Sequence, residues 1–339
     1  MTVGRASHAM TLARHIIECQ RWHPDATGEL SVLLAQIAFA GKIFAAELRR
    51  AALVGRTGFT GDTNVQGEPT KKLDVFGNQT IVDAFAHSEL VSAIVSEEED
   101  QPRQVACGAK ASYLLCVDPL DGSSNSDVNG VVGTIFGIYR PARANRAADV
   151  NLPRAGREQV AAGYIMYGPS TVFVYTTGEG VNGFTLDHDI GEFILTHPGI
   201  MCPADGRYYA VNLAGASEWP ARISAYLAGL TGQAQQHRGY SQRYSGALVA
   251  DVHRTLLEGG IYFYPSDRTH PDGKLRLLYE CAPLAFVVEQ AGGAATTGDE
   301  RVLDVAVESI HQRVPLAIGS RSEVDRYTQF LNTGEAPCS

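Results

Sequence analysis

The chain has 339 residues, 45% of them hydrophobic and 19% charged, with a formal net charge of −9. That balance is globular, and its acidity argues against binding a nucleic-acid backbone. No uninterrupted apolar run reaches the ~20 residues of a membrane helix, and the start "MTVGRASHAMTLARHIIECQ" lacks a signal peptide's apolar core.

The length suggests about two domains of ~150 residues each. The first helix is expected from Gly28 to about Ala52, with Leu30, Leu33, Leu34, Ile37, Gly41, Phe44 and Leu48 at helical spacing and Thr27 as N-cap. "VGRTGFTGDTNVQGEP", residues 54–69, has four glycines and no apolar period, and reads as a long, mobile, functional loop. A second helix is expected near residues 76–88. "LVSAIVSEEED" and "YLLCVD" then read as strands that stop at acids. "GTIFGIYR", "AAGYIMYG", "TVFVYTT", "GFTLD" and "GEFILTH" continue as strands, with a tight turn at "YGPST". The first ~200 residues therefore combine flanking helices with a large sheet, antiparallel in part.

Beyond Gly199 strands and helices alternate. "YYAVN", "GIYFYP", "GAATT" and "VPLAIGS" read as strands; "WPARISAYLAGL" and "ALVADVHRTLLEG" read as helices. "LRLLYECAPLAFVVEQAGG" reads as one long helix ending in Gly-Gly. The expected division is an N-terminal domain over 1–199 and a C-terminal α/β domain over 200–335, followed by a frayed end within "NTGEAPCS". Six cysteines (Cys19, Cys107, Cys116, Cys202, Cys281, Cys338) form no C-x-x-C pair and read as reduced thiols of a cytoplasmic protein.

The chemistry concentrates at two strand ends. Glu97 and Glu98 close one strand, and "CVDPLDGSSNSD" places Asp118 and Asp121 just past another. Strand ends are where ligands meet sheets covered on both faces. Clustered carboxylates repel unless cations offset the charge, and the hard cation suited to carboxylates, a carbonyl and phosphate is Mg²⁺ or Mn²⁺. Pro119 stiffens the turn, so that Asp118, the Leu120 carbonyl and Asp121 can face one point. Gly122 admits a ligand close to the backbone, and Ser123, Ser124 and Asn125 would present amides and hydroxyls to a phosphoryl group.

At these residues the chain resembles the class I fructose-1,6-bisphosphatases, within the Mg²⁺-dependent, lithium-sensitive sugar and inositol phosphatases. "KKLDVFGN", "VSEEED", "DPLDGSSN", "GTIFGIYR", "GEFILT", "ADVHRTL", "GKLRLLYEC" and "AGGAATTG" occur in the family's order, from about residue 12 to 331. The resemblance implies a layered α-β-α-β-α sugar-phosphatase fold with mixed sheets and two subdomains. It implies hydrolysis of the 1-phosphate of D-fructose 1,6-bisphosphate, in gluconeogenesis or the Calvin cycle. Two or more Mg²⁺ ions would be held by Glu97, Glu98, Asp118, the Leu120 carbonyl, Asp121 and Glu280. Asp74 and Glu98 would orient and deprotonate water. Asn212, Arg243, Tyr244, Tyr264 and Lys274 would bind the 6-phosphate and sugar. Arg243 would reach a neighbouring subunit, in a two-fold-symmetric homotetramer.

The chain also departs from the family. Glu68 replaces the usual Asp at a third metal, and Gly215 replaces a 6-phosphate Tyr of animal members. Thr27, Gly28, Glu29, Tyr113 and Arg140 match an AMP-inhibition site and Ser31 substitutes conservatively for its Thr, but Ser112 replaces its phosphate-binding Lys. Residues 141–159 contain no cysteine, against the thioredoxin-regulated insertion of plastid members. Sedoheptulose-1,7-bisphosphatase activity, alone or as a second activity, is the alternative within this chemistry. A non-catalytic sugar-phosphate or nucleotide sensor is the alternative outside it.

Overall fold

Strands in the first half of the chain are apolar on both faces, and the architecture accounts for this. The computed structural model describes residues 10–64, 67, 69–86, 88–105, 112–140, 150–232 and 239–334. Glu68, Cys107, Cys338 and parts of the expected 54–69 loop, the 141–159 segment and the C-terminal tail lie outside the described residues.

An eight-stranded sheet runs in the order Glu192–His197, Asn182–Asp187, Thr171–Thr176, Gln159–Tyr167, Val132–Tyr139, Tyr113–Asp121, Val91–Ser96, Arg103–Gln104. Every neighbouring pair is antiparallel except Val91–Ser96 with Tyr113–Asp121, which is parallel. Alternate residues face opposite sides. Phe136, Ile138, Ala161, Ile165, Phe173 and Tyr175 pack with Ile16, Leu33, Leu34, Ile37, Phe44 and Ile81, from helices Leu12–Gln20, Glu29–Leu48 and Lys72–Phe85. Ile135, Ala162, Tyr164, Val172 and Val174 face the other way, onto helices Leu248–Glu258 and Ala282–Gln290.

Those two helices also cover a five-stranded sheet ordered Ser241–Gln242, Tyr208–Ala210, Ile261–Tyr264, Leu316–Gly319, Ala294–Thr296. Its outer face, with Tyr209, Phe263 and Ala317, packs against Ile223, Tyr226, Val324 and Tyr327 of helices Ala221–Leu230 and Arg321–Thr333. The result is five layers: helix, sheet, helix, sheet, helix. Gly41 lets the first helical layer settle on the sheet, because a Cβ there would lie 2.3 Å from Ile165 Cδ1.

Several expectations change. The first long helix begins at Glu29 and ends at Leu48; its N-cap is Gly28, at φ +84°, and not Thr27. That helix is 20 residues long and apolar enough to cross a membrane by length and composition, although Glu29, Gln36, Lys42 and Glu47 interrupt its apolar run. Its apolar residues are instead core contacts of the sheet. The 54–69 segment contains an antiparallel pair, Phe59–Thr63 with Pro69–Lys71. The next helix starts at Lys72, four residues early, because Asp74 accepts the Lys71 N–H at 2.8 Å and satisfies a free helix-end donor. The expected long helix near residue 280 divides into strand Leu275–Arg276, a π-helical turn Leu277–Cys281, and α-helix Ala282–Gln290 with proline in its first turn. Helices Leu12–Gln20 and Arg321–Thr333 had no counterpart in the sequence reading.

His253, on Leu248–Glu258, is largely buried with Nδ1 2.7 Å from Tyr164 Oη. Burial, aided by His197 and Arg254, lowers its pKa to about 4. An unfolded chain therefore takes up a proton near pH ~6.5 that the native state refuses. Stability should fall as pH drops from ~6.5 to ~4, by up to about 3 kcal/mol from this residue. Urea denaturation of His253→Gln at pH 7 and pH 4.5 should show a shallower loss, by about 2 kcal/mol. An unchanged loss would refute the assignment.

Candidate active site

The parallel strand pair creates the site. Ser96 lies opposite Val117, and the Glu97 N–H donates to the Val117 carbonyl at 3.1 Å. Glu97 and Asp118 therefore emerge side by side at the same sheet edge. The second strand does not stop at Asp118, as the sequence suggested, but continues to Asp121. Residues three apart on a regular strand point to opposite faces. Here Asp118 pairs with Ile135 and Asp121 with Gly133, so three steps oppose two. This bulge turns both carboxylates to one side. Thr134 Oγ1 donates to the Pro119 carbonyl at 2.9 Å, and the Leu120 N–H donates to Asp118 Oδ1 at 2.9 Å.

The same block joins the two halves of the chain. Asp121 accepts the N–H groups of Leu248 and Val249, at 3.1 and 2.7 Å, at the start of helix Leu248–Glu258. Gly122 has φ +72°, and a Cβ there would lie 2.4 Å from Ala247 Cβ. Ser123–Val128 forms a short 3₁₀ helix. Asn125 Nδ2 donates to the carbonyls of Val131 and Ser245, both at 3.0 Å, so its amide holds the Ser123–Val128 turn against the other half.

Glu280 arrives from the π-helical turn, where its carboxylate accepts the Arg276 N–H. One carboxylate oxygen each from Asp118, Asp121 and Glu280 lies within 4.8 Å of the others, and all three residues are buried. Arg276, itself only 4% exposed, places Nη2 3.4 Å from Glu97 Oε1. Burial raises the Asp118 pKa well above the carboxylate range, and repulsion from Glu97, Asp121 and Glu280 adds to it. Burial also raises Asp121 and Glu280. Such a group is a poor home for several negative charges and a good one for a divalent cation, which would pull these pKa values down on binding. The donor set is all carboxylate oxygen, as Mg²⁺ or Mn²⁺ requires, so the residues present fit the implied metal.

Asp74 starts helix Lys72–Phe85 beside this group. Burial raises its pKa to about 6; the Lys71 N–H and the nearby Ser123 hydroxyl oppose the shift and Glu97 adds to it. Its Oδ1 is buried with no hydrogen-bond partner. Glu98 follows Glu97 in the same turn, half-buried, with its N–H donating to Ser96 Oγ at 3.3 Å; its carboxylate is not one of the three grouped acids. Lys71 Nζ pairs with Asp127 Oδ2 at 2.8 Å, tying the 59–71 hairpin to the Ser123–Val128 turn. Nothing in the sequence reading had singled out Asp127.

The expected far-phosphate residues gather in part. Asn212 Nδ2 lies 3.5 Å from Tyr264 Oη, while Asn212 Oδ1 caps the Ala214 N–H at 3.0 Å. Burial pushes the Tyr244 hydroxyl up to about 12, with Tyr264, Asp251 and Asp121 adding to the shift. Lys274 is half-buried two residues before Arg276. Arg243 is exposed, its guanidinium 5.5 Å from the Tyr208 ring and donating to the Gln242 carbonyl at 2.7 Å. A Cβ on Gly215 would meet Asp267 Oδ2 only at 3.5 Å, ordinary contact distance.

A separate cavity of about 310 Å³ brings together Thr27, Gly28, Glu29, Ser31, Tyr113 and Arg140. Glu29 Oε2 accepts from Arg140 Nη2 at 3.1 Å and from Tyr113 Oη at 3.4 Å. The Arg140 guanidinium lies over the Tyr113 ring at 5.0 Å.

Comparison with known proteins agrees across the full length. A family model described as the fructose-1-6-bisphosphatase N-terminal domain matches residues 10–198, and one for the C-terminal domain matches residues 202–332. A class 1 fructose-1,6-bisphosphatase of Acaryochloris marina is 52% identical over 333 residues, covering 97% of this chain and 99% of that protein. One of Chlorobium phaeobacteroides is 49% identical over 321 residues, covering 93% and 96%. The crystal structure of Leishmania major fructose-1,6-bisphosphatase in holo form superposes with a TM-score of 0.88 at 39% identity, covering 96% of this chain and 99% of that one.

Metal linkage gives a test that needs no substrate. Mg²⁺ at 100 times its dissociation constant should stabilise the native state by about 2.7 kcal/mol, seen as a higher melting temperature than in chelator. Asp118→Asn should melt no lower than the wild type in chelator, because the amide stays neutral without the proton that the buried acid must take up on folding, yet lose most of the Mg²⁺-induced shift. A metal-free variant that is clearly less stable, or a full shift retained, would contradict the assignment.

Proposed function

The chain belongs to the class 1 fructose-1,6-bisphosphatase family, and from that membership we propose how its own residues hydrolyse fructose 1,6-bisphosphate to fructose 6-phosphate and phosphate. The observation that carries the reading is the meeting of Asp118, Asp121 and Glu280, from both halves of the chain, within 4.8 Å. Glu97 and Glu98, the Leu120 carbonyl and Glu68 complete the ligand set we assign to two or more Mg²⁺ ions. When bound, such ions offset charge on phosphoryl oxygens and acidify water.

The remaining work falls to the protein. Gly122, Ser123 and Ser124 supply the backbone and hydroxyl donors that seat the 1-phosphate. Asp74, with an unpaired Oδ1 and a pKa of about 6, takes the proton from the attacking water together with Glu98. A base poised near neutrality suits that task. Asn212, Tyr244, Tyr264 and Lys274 bind the sugar and the far phosphate. Arg243, exposed in one subunit, is assigned to the neighbouring subunit's site, which makes a dimer the smallest complete enzyme, within a two-fold-symmetric homotetramer. We place the division between the two domains near residue 200 and the protein in the cytoplasm.

Sedoheptulose 1,7-bisphosphate, longer by one carbon between its phosphates, is the alternative substrate within the same chemistry. The cavity lined by Thr27, Glu29, Tyr113 and Arg140 supports AMP as a regulator, with the Arg140 cation facing its phosphate.

Phosphate release with Mg²⁺ should be rapid from fructose 1,6-bisphosphate. Asp118→Asn and Asp74→Asn should each lower turnover by at least about 10²-fold with the fold intact by circular dichroism. Turnover near normal in either variant would remove that residue from the machinery. Parallel assays with sedoheptulose 1,7-bisphosphate decide the substrate range. AMP should inhibit the wild type, and Arg140→Ala should relieve that inhibition without changing uninhibited turnover; no response to AMP would refute the regulatory assignment.

A further inference from the structure

His311 lies outside every group assigned above, yet it touches the segments that carry the acids. Its Nε2 is 3.0 Å from the Glu99 carbonyl oxygen, and its Nδ1 is 2.7 Å from Tyr279 Oη. Its ring meets the Tyr279 ring edge-on, with centroids 5.9 Å apart. A carbonyl only accepts, so Nε2 carries the proton; Nδ1 of the neutral ring then accepts from the tyrosine hydroxyl. Partial burial lowers the His311 pKa and favours that neutral form.

Both partners adjoin proposed ligands. Glu99 follows Glu97 and Glu98, and Tyr279, fully buried, precedes Glu280 on the π-helical turn. The acid turn is gripped from its other side by Asn78, one turn beyond Asp74 on helix Lys72–Phe85. Asn78 Nδ2 donates to Glu99 Oε1 at 2.9 Å, and its Oδ1 accepts from Ser96 Oγ at 2.7 Å. A hydrogen-bonded path thus runs from the helix of Asp74 through the acid turn to His311, and on to the turn of Glu280.

We propose that His311 is a positioning residue: it sets the spacing between the acid turn Glu97–Glu99 and the turn carrying Glu280, across the two halves of the chain. This rests on the reading that those acids hold divalent cations. Main-chain bonds, and not the imidazole, join the segment of His311 to the turn of Glu280. The Leu277 N–H already donates to the Gln312 carbonyl at 2.8 Å, and Leu275–Arg276 pairs with Arg313–Val314. What the imidazole adds is a fixed distance between ligand-bearing turns. Partners of this kind, one step behind the ligands, typically change metal affinity by 10–100-fold.

The test measures Mn²⁺ binding by isothermal titration calorimetry, beside the half-saturating Mg²⁺ concentration, the KM for fructose 1,6-bisphosphate and the melting temperature in chelator. His311→Ala should weaken Mn²⁺ binding by about tenfold and raise the Mg²⁺ requirement in parallel, with KM changed less than about twofold. His311→Gln keeps an N–H for the Glu99 carbonyl and should recover part of the loss. Tyr279→Phe should give an intermediate defect and add nothing to that of His311→Ala. A lower melting temperature with Mn²⁺ affinity unchanged would make His311 a stability residue only and overturn the proposal. Should His311→Ala not fold, unchanged affinity in both His311→Gln and Tyr279→Phe would overturn it equally. No Mn²⁺ uptake by the wild type would instead overturn the underlying reading of the acids.

Discussion

Like charges held together away from water are the constraint on which this structure turns. Asp118, Asp121 and Glu280 are each less than 10% exposed, and Glu97 stands next to them with Arg276 as a paired cation. In a dry setting each carboxylate disfavours ionisation of the next. Left alone, the group would hold protons, as the raised pKa values of all three buried acids show. A divalent ion held by these carboxylates would displace those protons and offset the repulsion between them. The chemistry then follows from what lies alongside: a donor-rich turn at Gly122–Ser124 and a carboxylate, Asp74, with one oxygen unpaired.

The fold assembles this group by three local irregularities. Only one neighbouring pair in the large sheet is parallel, and it is the pair that delivers Glu97 beside Asp118. A bulge between Asp118 and Asp121 defeats the strand's alternation. A π-helical turn, rare in itself and frequent at functional sites, carries Glu280. The bulge and the π-helical turn depart from regular hydrogen bonding, and each is compensated by an identified bond, Thr134 to the Pro119 carbonyl and the Arg276 N–H to Glu280; the parallel pair is continued by the Glu97 N–H on the Val117 carbonyl. Asp121 also anchors the start of helix Leu248–Glu258, so the acid cluster doubles as the joint between the two halves.

Much of this was legible in the sequence, for physical reasons. The octet "DPLDGSSN" concentrates residue types that a plain turn does not need, and the strands of the large sheet show as apolar runs because both faces are covered. Other features left little trace. Phe59–Thr63 is exposed along its whole length, so no apolar alternation marks it. Helix Arg321–Thr333 buries few residues and reads as polar. Gly28 displaces Thr27 as N-cap through a left-handed backbone that composition does not reveal. The π-helical turn has the same apolar pattern as the α-helix that follows it, which is why the two merged into one predicted helix. Arg276 and His311 act through partners distant in the chain, and neither has a spacing rule that would expose it.

The central claim is that carboxylates from both halves of the chain converge on shared divalent ions. Crystals grown with Mn²⁺ and measured near its absorption edge test this most directly. The account predicts anomalous density enclosed by Asp118, Asp121 and Glu280, with Glu97 within reach of the same ions. Density confined to other sites, or these four side chains turned apart with the metal present in excess, would contradict it.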